Sequence, residues 1–131
     1  MIQNRVVARF ADGRTLKGTT QDFAPTKEAF HVITSEGGAR PIKVVLADLK
    51  AVFFVKDLIG NALYNESKEF LRTVPGKRLQ VTFADGEMIV GATQAFHPEG
   101  PGFFLVPADP RSNNDRVFVV MQAVRSVSVI E

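Results

Sequence analysis

The chain has 131 residues, with 16 Lys and Arg against 14 Asp and Glu and a formal net charge of +2. So even a balance lacks the basic stripe of a phosphate-tracking surface, and the absence of cysteine excludes disulfides, thiolate nucleophiles and thiolate metal sites. No apolar run approaches the roughly 18 residues needed to span a bilayer, and Met1-Ile2-Gln3-Asn4-Arg5 lacks the apolar stretch of a secretory leader, so a cytoplasmic protein without a membrane partner is expected.

The dominant pattern is internal. Residues 5–33 and 78–106 align without a gap at an offset of 73. The identities are Arg5/Arg78, Phe10/Phe83, Ala11/Ala84, Asp12/Asp85, Gly13/Gly86, Gly18/Gly91, Thr20/Thr93, Gln21/Gln94, Phe23/Phe96, Pro25/Pro98 and Phe30/Phe103. The register resumes two residues later with Val44/Val119, Val45/Val120 and Val52/Val127. A repeat describes architecture first. Residues present in both copies serve the common fold, whereas features of one copy are free for other uses. A unit of about 50–55 residues lies near the lower limit for independent folding, so the two are expected to pack together.

In chain order, the first copy opens with the apolar segment Val6–Phe10, then Ala11-Asp12-Gly13, then Thr15–Gly18. Asp-Gly between short apolar segments signals a hairpin, because the turn demands positive φ. Gly18 marks a bulge or bend in the second strand. Phe23-Ala24-Pro25 ends that strand, since proline cannot donate to the ladder. A third strand is expected over Phe30–Thr34, a fourth over Pro41–Leu46, a turn at Ala47-Asp48-Leu49 and a fifth over Ala51–Val55. The segment Lys56–Lys77 departs from this pattern. Leu63, Phe70 and Leu71 fall at roughly helical spacing and Pro75-Gly76 is a stop, giving a short helix over Ala62–Arg72 or an extended connector. The second copy repeats the plan with strands at Leu79–Phe83, Met88–Gly91, Phe103–Val106, Val117–Met121 and Ser126–Ile130.

The expected fold class is all-β: two tandem SH3-like or Sm-like small barrels related by internal duplication, over residues 1–56 and 78–131, with 57–77 as linker. A single larger barrel built jointly by both halves is the alternative.

The repeated Phe10, Phe23, Phe30, Phe83, Phe96 and Phe103 read as core plugs rather than base-stacking platforms, and Asp12 and Asp85 as turn residues. His31 and His97 stand at non-equivalent positions, and with no cysteine they fall short of the three or four ligands of a zinc site. No nucleophile–base arrangement, P-loop or dinucleotide-binding glycine pattern occurs. The expectation is therefore no enzyme, no catalytic residue, no cofactor and no metal. One segment breaks the repeat: Pro107–Arg116 stands where the first copy has Thr34–Arg40 with a plain Gly37-Gly38 turn. Such a stiff polar loop, presenting Asp109, Arg111, Ser112, Asn113, Asn114 and Arg116, is the candidate partner-binding site. The rival reading is a loop that stabilises itself, with both arginines tied to Asp109 and Asp115.

Leu49-Lys50-Ala51-Val52-Phe53-Phe54-Val55 and the run from Pro101-Gly102-Phe103-Phe104 through Asp109-Pro110-Arg111-Ser112-Asn113-Asn114 resemble a family of small bacterial modules. These modules have no established activity and occur alone or appended to larger regulatory proteins. Phe10-Ala11-Asp12-Gly13 with Gly18 is similar to the first motif of Sm-like RNA-binding proteins. That motif's loop Asp has only Asp22 as a counterpart, displaced toward Gly18, and the second copy has Ala95 there. The functional expectation is a non-enzymatic binding or regulatory module that recognises another protein; RNA or single-stranded DNA binding by the barrels is the alternative. The first implies an exposed apolar patch or open edge strand, the second a basic face and a steep salt dependence.

Overall fold

The computed structural model describes residues 4–34, 40–58, 66–70 and 74–130. The strands are β1 (Asn4–Phe10), β2 (Thr15–Thr20), β3 (Ala29–Val32), β4 (Ile42–Val45), β5 (Leu49–Val55), β6 (Lys77–Phe83), β7 (Met88–Thr93), β8 (Gly102–Pro107), β9 (Asn114–Val120) and β10 (Val124–Val129). Single 3-10 turns, Leu46–Asp48 and Met121–Ala123, lead into β5 and β10. The fold is all-β, and no helix among the described residues is long and apolar enough to cross a membrane.

Eight strands make one antiparallel sheet in the order β10-β6-β7-β8-β9-β5-β1-β2, while β3 pairs with β4. An isolated bridge, Thr19 to Ile33, links β2 to β3. The ten strands therefore follow one another in a single row that starts at β10 and ends at β4.

Local chemistry sets the hairpins. In β1–β2, Arg5 stands opposite Thr19; in β6–β7, Arg78 stands opposite Ala92, the same register at the offset of the repeat. Gly13 N–H donates to Phe10 O at 3.0 Å and Gly86 N–H to Phe83 O at 2.9 Å, with φ of 98° and 95°. These are left-handed conformations that glycine adopts without steric cost. No bulge marks the expected position in either second strand: the register runs through Gly18 and Gly91 unshifted, and the reason for glycine is space. A Cβ on Gly18 would lie 2.4 Å from Ile33 O, and one on Gly91 2.3 Å from Val106 O.

Closure differs from the expected barrels. β4 does not pair with β5, nor β9 with β10; instead β9 pairs with β5, from Ala51 opposite Val119 to Phe54 opposite Arg116. Among the described residues no closed barrel forms within either half or jointly. The physical reason lies in the composition of β5, whose seven residues are all buried. Alternation along the strand sends Val52 and Phe54 into one core with Val6, Ala8, Phe30 and Val32. It sends Ala51, Phe53 and Val55 into the other with Leu79, Val81 and Phe83. β9 does the same, with Phe118 and Val120 facing the first core and Val117 and Val119 the second. Pairing β5 with β9 thus buries both faces of both strands in a seam between the halves.

Of the expected core phenylalanines, Phe30, Phe83 and Phe103 are buried, while Phe10, Phe23 and Phe96 pack half-buried against the cores. Phe23 contacts Phe30, Phe54 and Phe118 edge-on, with ring centroids 5.0, 5.3 and 5.3 Å away. The expected helix over 62–72 and the turn at 37–38 fall largely outside the described residues; the stretch 66–70 has no regular structure. β9 begins at Asn114, so the last three residues of the expected 107–116 loop are strand.

Candidate protein-interaction surface

The loop that breaks the repeat is anchored to the connector. Asp109 is buried, and its two carboxylate oxygens accept the N–H groups of Arg111 at 2.9 Å and Ser67 at 2.8 Å. Ser112, also buried, donates its hydroxyl to the Glu66 carboxylate and accepts the N–H of Asn114 at 3.0 Å. Asn113 brackets Asp57, accepting its N–H at 3.1 Å and donating to its carbonyl at 2.9 Å. Lys56 Nζ adds a bond of 3.0 Å to Pro110 O. Arg116 lies in β9 with its guanidinium over the rings of Phe54 and Phe104, at 4.4 and 4.6 Å. The structure thus brings Asp109, Ser112 and Asn113 together as a clamp on the segment that joins the halves, with Arg116 stacked over the seam beside it. The sequence carried no signal for the clamp's partners, which lie more than 40 residues away.

The polar side chains elsewhere hold turns and seams. His31 Nδ1 lies 2.7 Å from Asp22 Oδ2, and the His31 N–H donates to Oδ1 at 2.9 Å. Partial desolvation works to raise the Asp22 carboxyl, but the His31 N–H, its ring and the Thr20 hydroxyl outweigh it and hold the group below its ordinary value. At the tip of the second hairpin, Asp85 is held low by the hydrogen bond from Lys50, then by the Glu87 N–H.

The ends of the strand row are a different surface. Antiparallel pairing directs alternate residues to opposite sides of a strand. In β4, Leu46 N–H bonds Glu28 O, so Ile42 and Val44 bond toward β3 while Lys43 and Val45 direct N–H and C=O outward. In β10, Ile130 N–H bonds Arg78 O, so Val127 and Val129 direct theirs outward. Neither outward edge has a strand partner among the described residues. Four large hydrophobic side chains are exposed among those residues, and three lie on these strands: Ile42 at 42%, Val45 at 36% and Val129 at 59%. Val45 also borders a recess of about 690 Å³ whose walls include Lys27, Leu46, Pro101, Phe118 and Val120. Strand addition is a route to protein binding for a small β module, but no local signal in the sequence specifies which strands lie at the ends of the row.

No curated protein and no solved structure matches the chain. A family model does, over residues 2–131, and the chain belongs to that family, the family of unknown function DUF6982.

Proposed function

We propose that the chain is a cytoplasmic, non-enzymatic protein-binding module that recruits an extended segment of its partner by strand addition at β4 or β10. Its two halves are read as duplicated five-stranded units with the strand order of SH3-like and Sm-like barrels, opened so that they join edge to edge. The observation that carries the reading is the pair of open edges holding three exposed hydrophobic side chains. An outward row of N–H and C=O groups is a template for another strand, and soluble proteins normally blunt it with charge or proline. Here Lys43 and Pro41 blunt only part of β4, leaving Val45 beside the recess. The clamp at Asp109, Ser112 and Asn113 has the supporting role of holding the connector against β9, and Arg111 and Arg116 remain contacts that a partner at that end of β9 would meet.

A labelled peptide with the sequence of Asn114–Val120 serves as a ready-made strand. Saturable binding that weakens several-fold in Val129→Pro, which removes an outward amide of β10, supports the reading. Identical binding in the variant, or none in the wild type, opposes it. Binding of single-stranded oligonucleotide that falls steeply with salt would favour the nucleic-acid alternative instead.

A further inference from the structure

We infer that the partner of these edges is a second copy of this chain, joined head to tail through β10 of one copy and β4 of the next. The inference rests on the strand-addition reading and names its partner. The internal seam supplies the template. β5 pairs with β9, and the counterparts of those strands at the offset of 75 are β10 and β4, which are the two ends of the row. The joint already made once inside the chain is therefore left open once, with its two sides at the two ends of the strand row. Carrying the internal register across, Ala51 opposite Val119 becomes Ser126 opposite Val44, and Val52 opposite Phe118 becomes Val127 opposite Lys43. The hydrogen-bonding parity agrees, since Val127 and Lys43 both direct their backbone groups outward.

Burial tracks the same logic: β5 is wholly buried where it is paired, whereas its counterpart β10 is mostly exposed. Charge carries over only in part. Across the internal seam Lys50 reaches Asp85 and Glu87 at the tip of the facing hairpin. The counterparts are Arg125, Asp12 and Arg14, and Arg14 already holds Asp12 at 2.8 Å, so Arg125 meets a carboxylate that is already paired. Two further differences limit the joint's strength. Ser126 and Ser128 stand where β5 has Ala51 and Phe53, and Pro41, opposite Val129, cannot donate. The association is accordingly reversible and concentration-dependent. Being heterologous, it builds a ring or a filament rather than a closed twofold dimer.

The chain contains no cysteine, so cross-linking reads the register directly. In the transferred register Ile42 of one copy faces Ser128 of the next as a non-hydrogen-bonded pair, about 4.5 Å between Cα atoms, which suits a disulfide. Mild oxidation of the Ile42→Cys, Ser128→Cys double variant is expected to give a ladder of covalent multimers, and Ile42→Cys with Ser126→Cys, one pair out of register, is not. Sedimentation velocity should show the wild-type mass rising above 14.4 kDa with concentration, and Lys43→Pro should stay monomeric with its melting temperature held within a few degrees. A wild type that is monomeric at its highest soluble concentration, or ladders of equal strength in the two cysteine pairs, would overturn the inference. If the Asn114–Val120 peptide still binds in that case, strand addition stands and only the identity of the partner falls. If the peptide fails too, both fall.

Discussion

Lys50 Nζ in β5 stands 2.7 Å from Asp85 Oδ2 at the tip of the β6–β7 hairpin, so a buried cation of the first half is neutralised by the second. Glu87 contacts the same ammonium, and the ring of Phe83 lies 4.8 Å from it. The aliphatic stem runs along the seam while the charge emerges between two partly exposed carboxylates, the usual compromise for a lysine at an apolar boundary.

Truncation at this point should loosen the seam. Lys50→Ala removes a buried stem and a charge-assisted pair, a loss of about 1–3 kcal/mol after allowing for the exposure of the carboxylates. Lys50→Met keeps the stem and should lose less. Chemical denaturation of both variants checks the order.

The same pair sets a pH dependence. Asp85 titrates below its ordinary value of 3.8 because the hydrogen bond from Lys50, then that from the Glu87 N–H, favours the carboxylate. A carboxyl depressed in the folded state contributes stability that is present above the unfolded value and lost as pH falls through the folded one. Stability should therefore drop as pH is taken below about 4, and more shallowly in Lys50→Met. Parallel curves for the two proteins would show that the pair is energetically silent.

Glycine at positions 18 and 91 is a steric requirement. Gly91→Ala sets a Cβ 2.3 Å from Val106 O, and Gly18→Ala sets one 2.4 Å from Ile33 O. Backbone must move in both cases, and each variant should lose about 1–3 kcal/mol, comparable to core overpacking. Thermal melts of the two single variants test this, and similar losses are expected because the two close approaches are alike.

Phe118 belongs to the seam rather than to either half. It is buried among Phe23, Phe104 and the first core, at centroid distances of 5.3 and 5.1 Å from those rings. Phe118→Ala should cost about 3–5 kcal/mol. Because the seam ties both cores together, unfolding should remain a single transition that moves as a whole.

These elements differ in how far the sequence revealed them. Asp12-Gly13 and Asp85-Gly86 announced their hairpins because turn conformation is decided by adjacent residues. Gly18 and Gly91, where a bulge or bend was expected, mark instead close approaches of β2 to Ile33 and of β7 to Val106, since the register runs through both without a shift. The pairing of β5 with β9 was not announced, since nothing local chooses between folding β5 back on β4 and joining it to a strand more than 60 residues away. The one trace was Leu49–Val55, apolar on both faces where a half-exposed strand would alternate. The loop at 107–116 is unlike its counterpart in sequence, but Asp109 and Ser112 find Ser67 and Glu66 through the fold alone.

That clamp yields its own test. Asp109→Ala leaves the N–H groups of Arg111 and Ser67 without their acceptor in a buried place, a loss of about 1–3 kcal/mol. Amide exchange at Ser67 should quicken, with little change at Thr19 on the far side of the row.

The most direct measurement on the open edges is residue-resolved amide exchange in dilute protein, with and without saturating Asn114–Val120 peptide. The outward amides of Val127 and Val129 should exchange quickly when the protein is free and become protected when the peptide is bound, while Ser126 and Ser128, already bonded to β6, change little. Protection that appears instead around the recess lined by Pro75, Ala95 and His97, with β10 and β4 unaltered, would contradict strand addition.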